Sequence, residues 1–303
     1  MINLRHIKFL VIIIFSLLLS SQSFADKKFE KDLKKISKDN GFIDNFGNIY
    51  SDDKITDKSK TILIIYTHGG MGDQTLDKCL KKWNLVAPVI RNLHDKRIKN
   101  YQIKIYRLCT GVRGWSKAEQ DKMWKSTSKK RLTLKNSEGE LLFHKVKDFL
   151  RIKIIKAKID QFKSDGFENI VLAGHSMGGW ASLKFKTIHP NLIEGSIGLH
   201  PGSGGTKKNR KDWPWWEEVR NYGFGNLSNL NALIVTHDKD NFNSPDDYSM
   251  FKNLTEVKFV NITSSECKKK ATLGGYHGLA LTKCFADKDP KSKEIAKYLE
   301  EIF

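Results

Sequence analysis

Short runs rich in apolar residues alternate with longer amphipathic segments along most of the chain. Six such runs predict β-strands, at residues 61–66, 101–108, 169–173, 193–199, 230–236 and 257–262. The run at 61–66 is continuously apolar, which is typical of a strand that is buried on both faces of a sheet. Helical spacing of apolar residues predicts helices at 75–93, 141–162, 180–188, 245–254 and 295–302.

This alternation predicts an α/β fold, with a mostly parallel central sheet covered by helices on both faces. The 303 residues are enough for one full-sized core. We find no internal repeat, low-complexity tract or linker, so residues 26–303 are predicted to form one domain. Two polar or irregular stretches, 110–139 and 201–229, are predicted to be insertions that form a lid over a sheet edge.

The first 25 residues have the pattern of a secretory signal peptide. A basic start precedes an apolar run over residues 9–20, and Ser23 and Ala25 are small residues at the positions that signal peptidase reads. The apolar run is shorter than the roughly 20 residues that span a bilayer. We therefore expect cleavage before Asp26 and a periplasmic or secreted protein, with an uncleaved N-terminal anchor as the alternative.

The chain is strongly basic, with 53 Lys or Arg against 34 Asp or Glu. Removal of residues 1–25 takes away Arg5 and Lys8 and no acid, so the net charge falls from +19 to +17. Such a charge favours contact with anionic surfaces. Most of the cations are lysines spread among Asn and Ile, which indicates a compositional bias, and we predict no nucleic-acid partner. The oligomeric state does not follow from the sequence.

Four cysteines are present, and an even number in an exported protein favours two disulfides. Closeness in sequence favours the pairs Cys79–Cys109 and Cys267–Cys284, although the sequence does not fix the pairing. The chain has no C-x-x-C spacing and no paired histidines beside its cysteines, so we predict no zinc site and no other metal.

The segment Gly174-His175-Ser176-Met177-Gly178 matches the pattern G-x-S-x-G between a predicted strand and a predicted helix. Glycines at both ends permit a turn tight enough to strain the backbone of the serine. The serine then lies at a helix N-terminus, where free N–H groups favour negative charge. The context predicts a nucleophile, and a glycine-rich turn with a solvated serine is the alternative.

The chain resembles the α/β-hydrolases at this point, because Gly174 to Gly179 is a common form of their nucleophile elbow. The resemblance covers about residues 60–303 in strand order, and it is specific at the elbow. It implies an α/β-hydrolase fold and a serine hydrolase of the esterase, lipase or dienelactone-hydrolase type. It also implies a triad in the chain order serine, acid, histidine, with Ser176 as the nucleophile and no cofactor.

The resemblance implies an oxyanion hole made of two backbone N–H groups. One belongs to Met177, which follows the nucleophile. The other comes from the loop after the strand at 61–66, where Gly70 is the first choice and Met71 the second. A phosphate-binding loop is the alternative for this glycine-rich segment, but it lacks the Lys-Ser/Thr pair and the G-x-G-x-x-G spacing of such loops.

Of the nine histidines, His277 alone lies after the last predicted strand, where the resemblance places the general base. The triad acid is expected after the strand at 230–236. Asp240 is our first choice there, Asp238 the second and Asp212 a distant third. The predicted disulfide between Cys267 and Cys284 would restrain the loop that carries His277.

The resemblance thus predicts two-step transfer of an acyl group from a small-molecule or lipid-like ester or thioester. A serine peptidase, an acyltransferase and a non-catalytic binding protein of the same fold remain alternatives. Three tryptophans of the second insertion line an acyl or aromatic pocket, touch a lipid surface, or pack the insertion onto the core: Trp213, Trp215 and Trp216.

Overall fold

Nine strands form one sheet in the computed structural model, within the residues that the structure describes. They are β1 (Gly41–Ile43), β2 (Ile49–Tyr50), β3 (Thr61–Thr67), β4 (Arg97–Ile98), β5 (Tyr101–Leu108), β6 (Asn169–His175), β7 (Gly195–Leu199), β8 (Ala232–Thr236) and β9 (Val257–Asn261). The order is β2-β1-β5-β3-β6-β7-β8-β9, with β4 paired to β5. All neighbours are parallel except β2 with β1 and β4 with β5.

The structure describes residues 41–43, 49–50, 55–70, 86–110, 116–126, 133–142, 147–211, 216–262, 267 and 275–303. The predicted signal peptide lies outside these residues, as do Met71, Cys79, Asp212, Trp213 and Trp215. Within the described ranges, no helix has the length and apolar character needed to cross a membrane.

The helices lie in the connections between the strands and after β9. Among the described residues, the α-helices are α1 (Pro88–Arg91), α2 (Lys117–Trp124), α3 (Lys147–Ser164), α4 (Met177–Ile188), α5 (Lys207–Lys211), α6 (Trp216–Asn221), α7 (Lys283–Lys288) and α8 (Glu294–Ile302). In the same part of the chain, four 3₁₀ helices accompany them, at Leu227–Asn229, Pro245–Phe251, Gly275–Leu281 and Pro290–Lys293.

The core lies in two layers, one on each face of the sheet. Strand β3 is buried along its whole length, and its side chains alternate between the layers. Ile62 and Ile64 pack with apolar residues of α1, α7 and α8, whereas Leu63 and Ile65 pack with apolar residues of α3 and α4. The predicted α/β fold with helices on both faces of a mostly parallel sheet is therefore confirmed.

The six predicted strands are all present, with bounds shifted by at most two residues. The three strands that were not predicted, β1, β2 and β4, have only two or three residues, which is too short for a hydrophobic pattern to appear. The predicted helix at 245–254 is a 3₁₀ helix over Pro245–Phe251. In the predicted helix at 75–93, residues 75–85 lie outside the described part, and 88–91 are helical.

Two further expectations about the first insertion and its surroundings are wrong. The helix predicted at 141–162 is described over Lys147–Ser164, with residues 143–146 outside the described part, and Leu141 instead forms an isolated bridge with Lys135. Residues 117–124, expected to be irregular, form α2. The sequence signal for this helix was a capping box, because Ser116 Oγ accepts from the Glu119 N–H and the Glu119 carboxylate accepts from the Ser116 N–H.

A disulfide joins Cys267 and Cys284, whose Cα atoms are 5.4 Å apart. This confirms one of the two predicted pairs. The other, Cys79–Cys109, stays a prediction because Cys79 lies outside the described residues. The confirmed disulfide spans the 3₁₀ helix Gly275–Leu281 and therefore constrains the segment that carries His277.

Candidate active site

A strained turn places Ser176 between β6 and α4. Strand β6 ends at His175 and the helix begins at Met177, so Ser176 alone forms the junction. Its φ of 53° and ψ of −124° lie in a region that residues with a side chain rarely adopt. The backbone of Ser176 is fixed by the carbonyl of Leu199, 3.0 Å from its N–H, and by the N–H groups of Trp180 and Gly202, which donate to its carbonyl.

The glycines of this turn are required by close backbone approach. A Cβ at Gly178 would lie 2.4 Å from the carbonyl oxygen of Thr67 and 2.5 Å from that of His68. A Cβ at Gly174 would lie 2.5 Å from the carbonyl carbon of Gly178. These distances agree with the tight turn that the two glycines predict in the sequence.

The segment after β3 is held against this turn by hydrogen bonds. Thr67 Oγ1 donates to the carbonyl of Gly178 at 3.0 Å. Gly70 lies beside Met177, since a Cβ at Gly70 would be 2.8 Å from Met177 Cε. The two residues predicted to supply the oxyanion donors are therefore neighbours, and the alternative donor, Met71, lies outside the described residues.

Arg151 of α3 holds the same segment through the carbonyls of His68 and Gly69. This residue was not identified from the sequence. Its Nη1 donates to the carbonyl of His68 at 2.7 Å and its Nη2 to that of Gly69 at 3.2 Å. The side chain is buried, and burial lowers its pKa to about 10 although Asp148 opposes the shift. A signal existed, because Arg151 follows the helical spacing of the buried apolar face of α3, where a cation needs a partner.

A buried ion pair lies beside this arginine. Lys184 Nζ of α4 is 2.6 Å from Asp148 Oδ2 and also donates to the carbonyl of Tyr222 at 2.7 Å. Both charged side chains are almost fully buried, so the loss of either partner would leave an uncompensated charge. The pair joins α3 to α4, the helix that begins directly after Ser176.

His277 and Asp240 are hydrogen-bonded to each other. His277 Nδ1 lies 2.9 Å from Asp240 Oδ2, and the N–H of Phe242 donates to Asp240 Oδ1 at 2.7 Å. Burial tends to raise the pKa of Asp240, but hydrogen bonds from His200 and His277 hold it well below its ordinary value. Asp240 is thus an ionised acceptor placed behind the ring of His277.

The second-choice acid, Asp238, is not in this position. Asp238 is exposed and accepts a hydrogen bond from Asn261 Nδ2 at 2.8 Å. Asp212 lies outside the described residues. The geometry therefore favours Asp240 as the partner of His277.

His175 connects the elbow to the segment of His277. Its Nε2 donates to the backbone carbonyl of His277 at 2.8 Å, and the two rings are 4.8 Å apart. The ring of Phe242 also stacks on the ring of His277, with the ring centres 4.2 Å apart. In the described part of the chain no hydrogen bond joins Ser176 Oγ to His277, so the contact needed for proton transfer is not formed directly in this structure.

A second histidine reaches the same carboxylate. His200, which follows β7, places Nδ1 3.0 Å from Asp240 Oδ2. The ligand atoms of His200, Asp240 and His277 lie within 4.8 Å of one another, a donor set that could suit a metal ion. Asp240 Oδ2 and the Nδ1 atoms of both histidines already take part in hydrogen bonds with one another.

We expect the protein to lose stability as the pH falls below about 6.5, the ordinary pKa of histidine. Burial is the main cause that lowers the pKa of His68, His175 and His200 below this value in the folded state. The unfolded chain therefore binds more protons than the folded one over this range. Each such histidine contributes a loss of up to about 1.4 kcal/mol per pH unit until its folded pKa is reached.

Urea unfolding at about pH 8 and about pH 5.5 measures this effect. The free energy of unfolding should be lower at the acidic value, with an unchanged dependence on urea concentration. Equal free energies at the two values would contradict the prediction. The carboxylate of Asp240 does not affect the comparison of the two pH values, because it loses its charge only at still lower pH.

No protein-family model matches the sequence, and comparison with curated proteins finds no match. Solved structures of similar shape include esterases and lipases. One is a lipase-esterase related protein from Clostridium acetobutylicum, 12% identical, covering 81% of this chain and 96% of that chain at a TM-score of 0.41. Another is Est1E from Butyrivibrio proteoclasticus, 16% identical, covering 80% and 87% at a TM-score of 0.41.

A monoacylglycerol lipase from Paleococcus ferrophilus is 12% identical and covers 80% of this chain and 95% of that chain at a TM-score of 0.40. Identities and scores of this size indicate neither an activity nor a substrate for the present chain. The parallel sheet, its strand order and the turn at Ser176 are those of an α/β-hydrolase fold, as the resemblance in the sequence implied.

Proposed function

We propose that the protein is an exported serine hydrolase that cleaves carboxylic esters or thioesters. The observation that carries this proposal is the strained turn at Ser176, at the N-terminus of α4, in one site with the hydrogen-bonded pair His277 and Asp240. A strained serine between a strand and a helix presents its hydroxyl at the sheet edge, and a histidine held by a carboxylate can act as its general base.

In the proposed reaction, His277 Nε2 takes the proton of Ser176 as Ser176 Oγ attacks the carbonyl carbon of the ester. Asp240 stabilises the imidazolium that forms and holds the ring in the tautomer with Nδ1 protonated. The imidazolium then gives its proton to the departing alcohol or thiol, which leaves an acyl-enzyme. Water repeats the sequence on the acyl group, and the acid product leaves with Ser176 restored.

The negative charge on the carbonyl oxygen is assigned to the N–H groups of Gly70 and Met177. Donors fixed in advance stabilise such a charge without reorganisation during the reaction. The contacts of Arg151 with the carbonyls of His68 and Gly69 support this role, because they fix the segment that presents Gly70. The proposed chemistry requires no metal and no organic cofactor.

Substrate class and location follow the same proposal. The substrate is a small-molecule or lipid-like ester, and the protein acts in the periplasm or outside the cell after removal of residues 1–25. Its excess of cations favours contact with anionic surfaces. No role with nucleic acid is proposed.

Labelling of the purified mature protein with a fluorophosphonate, followed by peptide mass mapping, tests the proposal. We expect label on the peptide of Ser176, no label in Ser176→Ala, and unchanged labelling in Ser249→Ala, which alters an exposed serine. Loss of labelling in His277→Ala would link the nucleophile to its base. Absence of label in a folded wild-type sample, or equal label in Ser176→Ala, would contradict the proposal.

A further inference from the structure

The carboxylate of Asp240 carries one hydrogen bond more than a serine–histidine–acid arrangement needs. Its Oδ2 accepts from Nδ1 of His277 at 2.9 Å and from Nδ1 of His200 at 3.0 Å. Its Oδ1 accepts from the N–H of Phe242 at 2.7 Å. Two imidazole rings therefore share one oxygen of the carboxylate.

The protonation state of His200 is defined by its surroundings. The side chain is fully buried, and burial lowers its pKa, so the ring is neutral in the folded protein at neutral pH. A carboxylate only accepts, so the single N–H of this neutral ring is on Nδ1. Its Nε2 is then a bare acceptor, buried and without a hydrogen-bond partner among the described residues.

His200 is held in this place at a free-energy cost. An unpaired buried acceptor is unfavourable, and the backbone φ of His200 is 46°, a left-handed value that is uncommon for residues other than glycine. Local strain and an unpaired polar group at one residue are features that persist where a specific contact requires them. The contact that His200 makes here is the one with Asp240.

We propose that His200 is a positioning residue that fixes Asp240 for His277 and shifts the acid limb of the pH–rate profile to lower pH. This inference rests on the proposed hydrolase function. The additional N–H draws negative charge away from the oxygen that faces His277, so the imidazolium of His277 is less stabilised. The free base is then available at a lower pH than it would be with an undivided carboxylate.

Other titratable groups surround this cluster. The ring of His175 lies 6.5 Å from that of His200 and 4.8 Å from that of His277, and it is kept neutral by burial. His237, which follows β8, and Tyr248 of the 3₁₀ helix Pro245–Phe251 also interact electrostatically with groups of this cluster. Burial lowers the pKa of His237 and raises that of Tyr248, so in each case it favours the neutral form.

Two substitutions separate the hydrogen bond from the volume of the ring. His200→Phe keeps a ring and removes the donor. His200→Asn keeps a neutral N–H close to the position of Nδ1, and Asn tolerates a positive φ better than most residues. We expect the acid limb of kcat/KM, or of the rate of Ser176 labelling, to move up by about one pH unit in His200→Phe and to stay near the wild-type value in His200→Asn.

An NMR titration gives a readout that needs neither turnover nor a variant at residue 200. In Ser176→Ala, the Nδ1–H resonances of His200 and His277 should change together as the pH is lowered, because they share Asp240 Oδ2. A His200 resonance that does not respond, or acid limbs that coincide in folded wild type and His200→Phe, would overturn the inference. If Ser176 is not labelled but the two resonances are coupled, the hydrolase function fails and the shared carboxylate stands.

Discussion

Replacement of Asp240 by Asn is expected to lower the rate at which a fluorophosphonate labels Ser176 by about 10³- to 10⁴-fold, with the fold retained. The carboxylate accepts hydrogen bonds from His200, His277 and the N–H of Phe242. A neutral amide does not stabilise the imidazolium of His277, and its NH₂ group can favour the wrong tautomer. The labelling rate is measurable before any natural substrate is known.

The matched control is Asp238→Asn, two residues away. Asp238 is exposed and its carboxylate accepts from Asn261, whereas the ring of His277 is hydrogen-bonded to Asp240. We expect its labelling rate to stay within about twofold of the wild-type rate, as for most surface substitutions. The reverse result, with Asp238→Asn impaired and Asp240→Asn active, would show that the other candidate acid is the correct one.

Substitution of Gly178 by Ala is expected to destabilise the fold by about 3 kcal/mol or more and to abolish labelling of Ser176. The new Cβ would lie 2.4 Å and 2.5 Å from the backbone carbonyl oxygens of Thr67 and His68. Backbone atoms of a central strand cannot move aside as a flexible side chain can. The clash therefore pushes Thr67 and His68 away from the turn at Ser176.

Gly69→Ala serves as the comparison for this substitution. The nearest atom to a Cβ at Gly69 is the side-chain Nδ1 of His175 at 3.3 Å, so a small adjustment suffices. Urea unfolding should rank the free energies of unfolding as wild type, Gly69→Ala and Gly178→Ala, in decreasing order. A Gly178→Ala protein with wild-type stability and labelling would contradict the close approach of β3 to the elbow.

The nucleophile turn could be predicted from the sequence because its determinants are local. Ser176, the two glycines and the flanking strand and helix all lie within about 20 residues. The choice between Asp238 and Asp240 depends on the conformation of a turn in which the Asp240 N–H donates to the carbonyl of His237 at 3.0 Å, and the residue types alone do not fix that conformation. That turn directs one carboxylate inward and the other to solvent.

The hydrogen-bond partners of His200 and Arg151 could not be assigned from the sequence. His200 and its partner Asp240 are 40 residues apart in the chain, and Arg151 donates to a carbonyl 83 residues earlier. Such contacts follow from the order of strands in the sheet, because β7 lies between β6 and β8 and brings its end beside both. A single sequence predicts the presence of these strands but not which polar residues meet at their ends.

The disulfide between Cys267 and Cys284 gives the proposed enzyme an order of maturation. The elbow at Ser176 and the support from Arg151 depend on packing and hydrogen bonds, which form as the chain folds. The segment of His277 lies instead inside a loop closed by this disulfide, whose cysteines are 17 positions apart. Closing a loop of this size lowers the conformational entropy of the unfolded chain, which stabilises the folded state by about 3 kcal/mol. A newly made, reduced chain would therefore carry a complete nucleophile turn before its base is firmly held, and hydrolytic competence would rise as the thiols are oxidised.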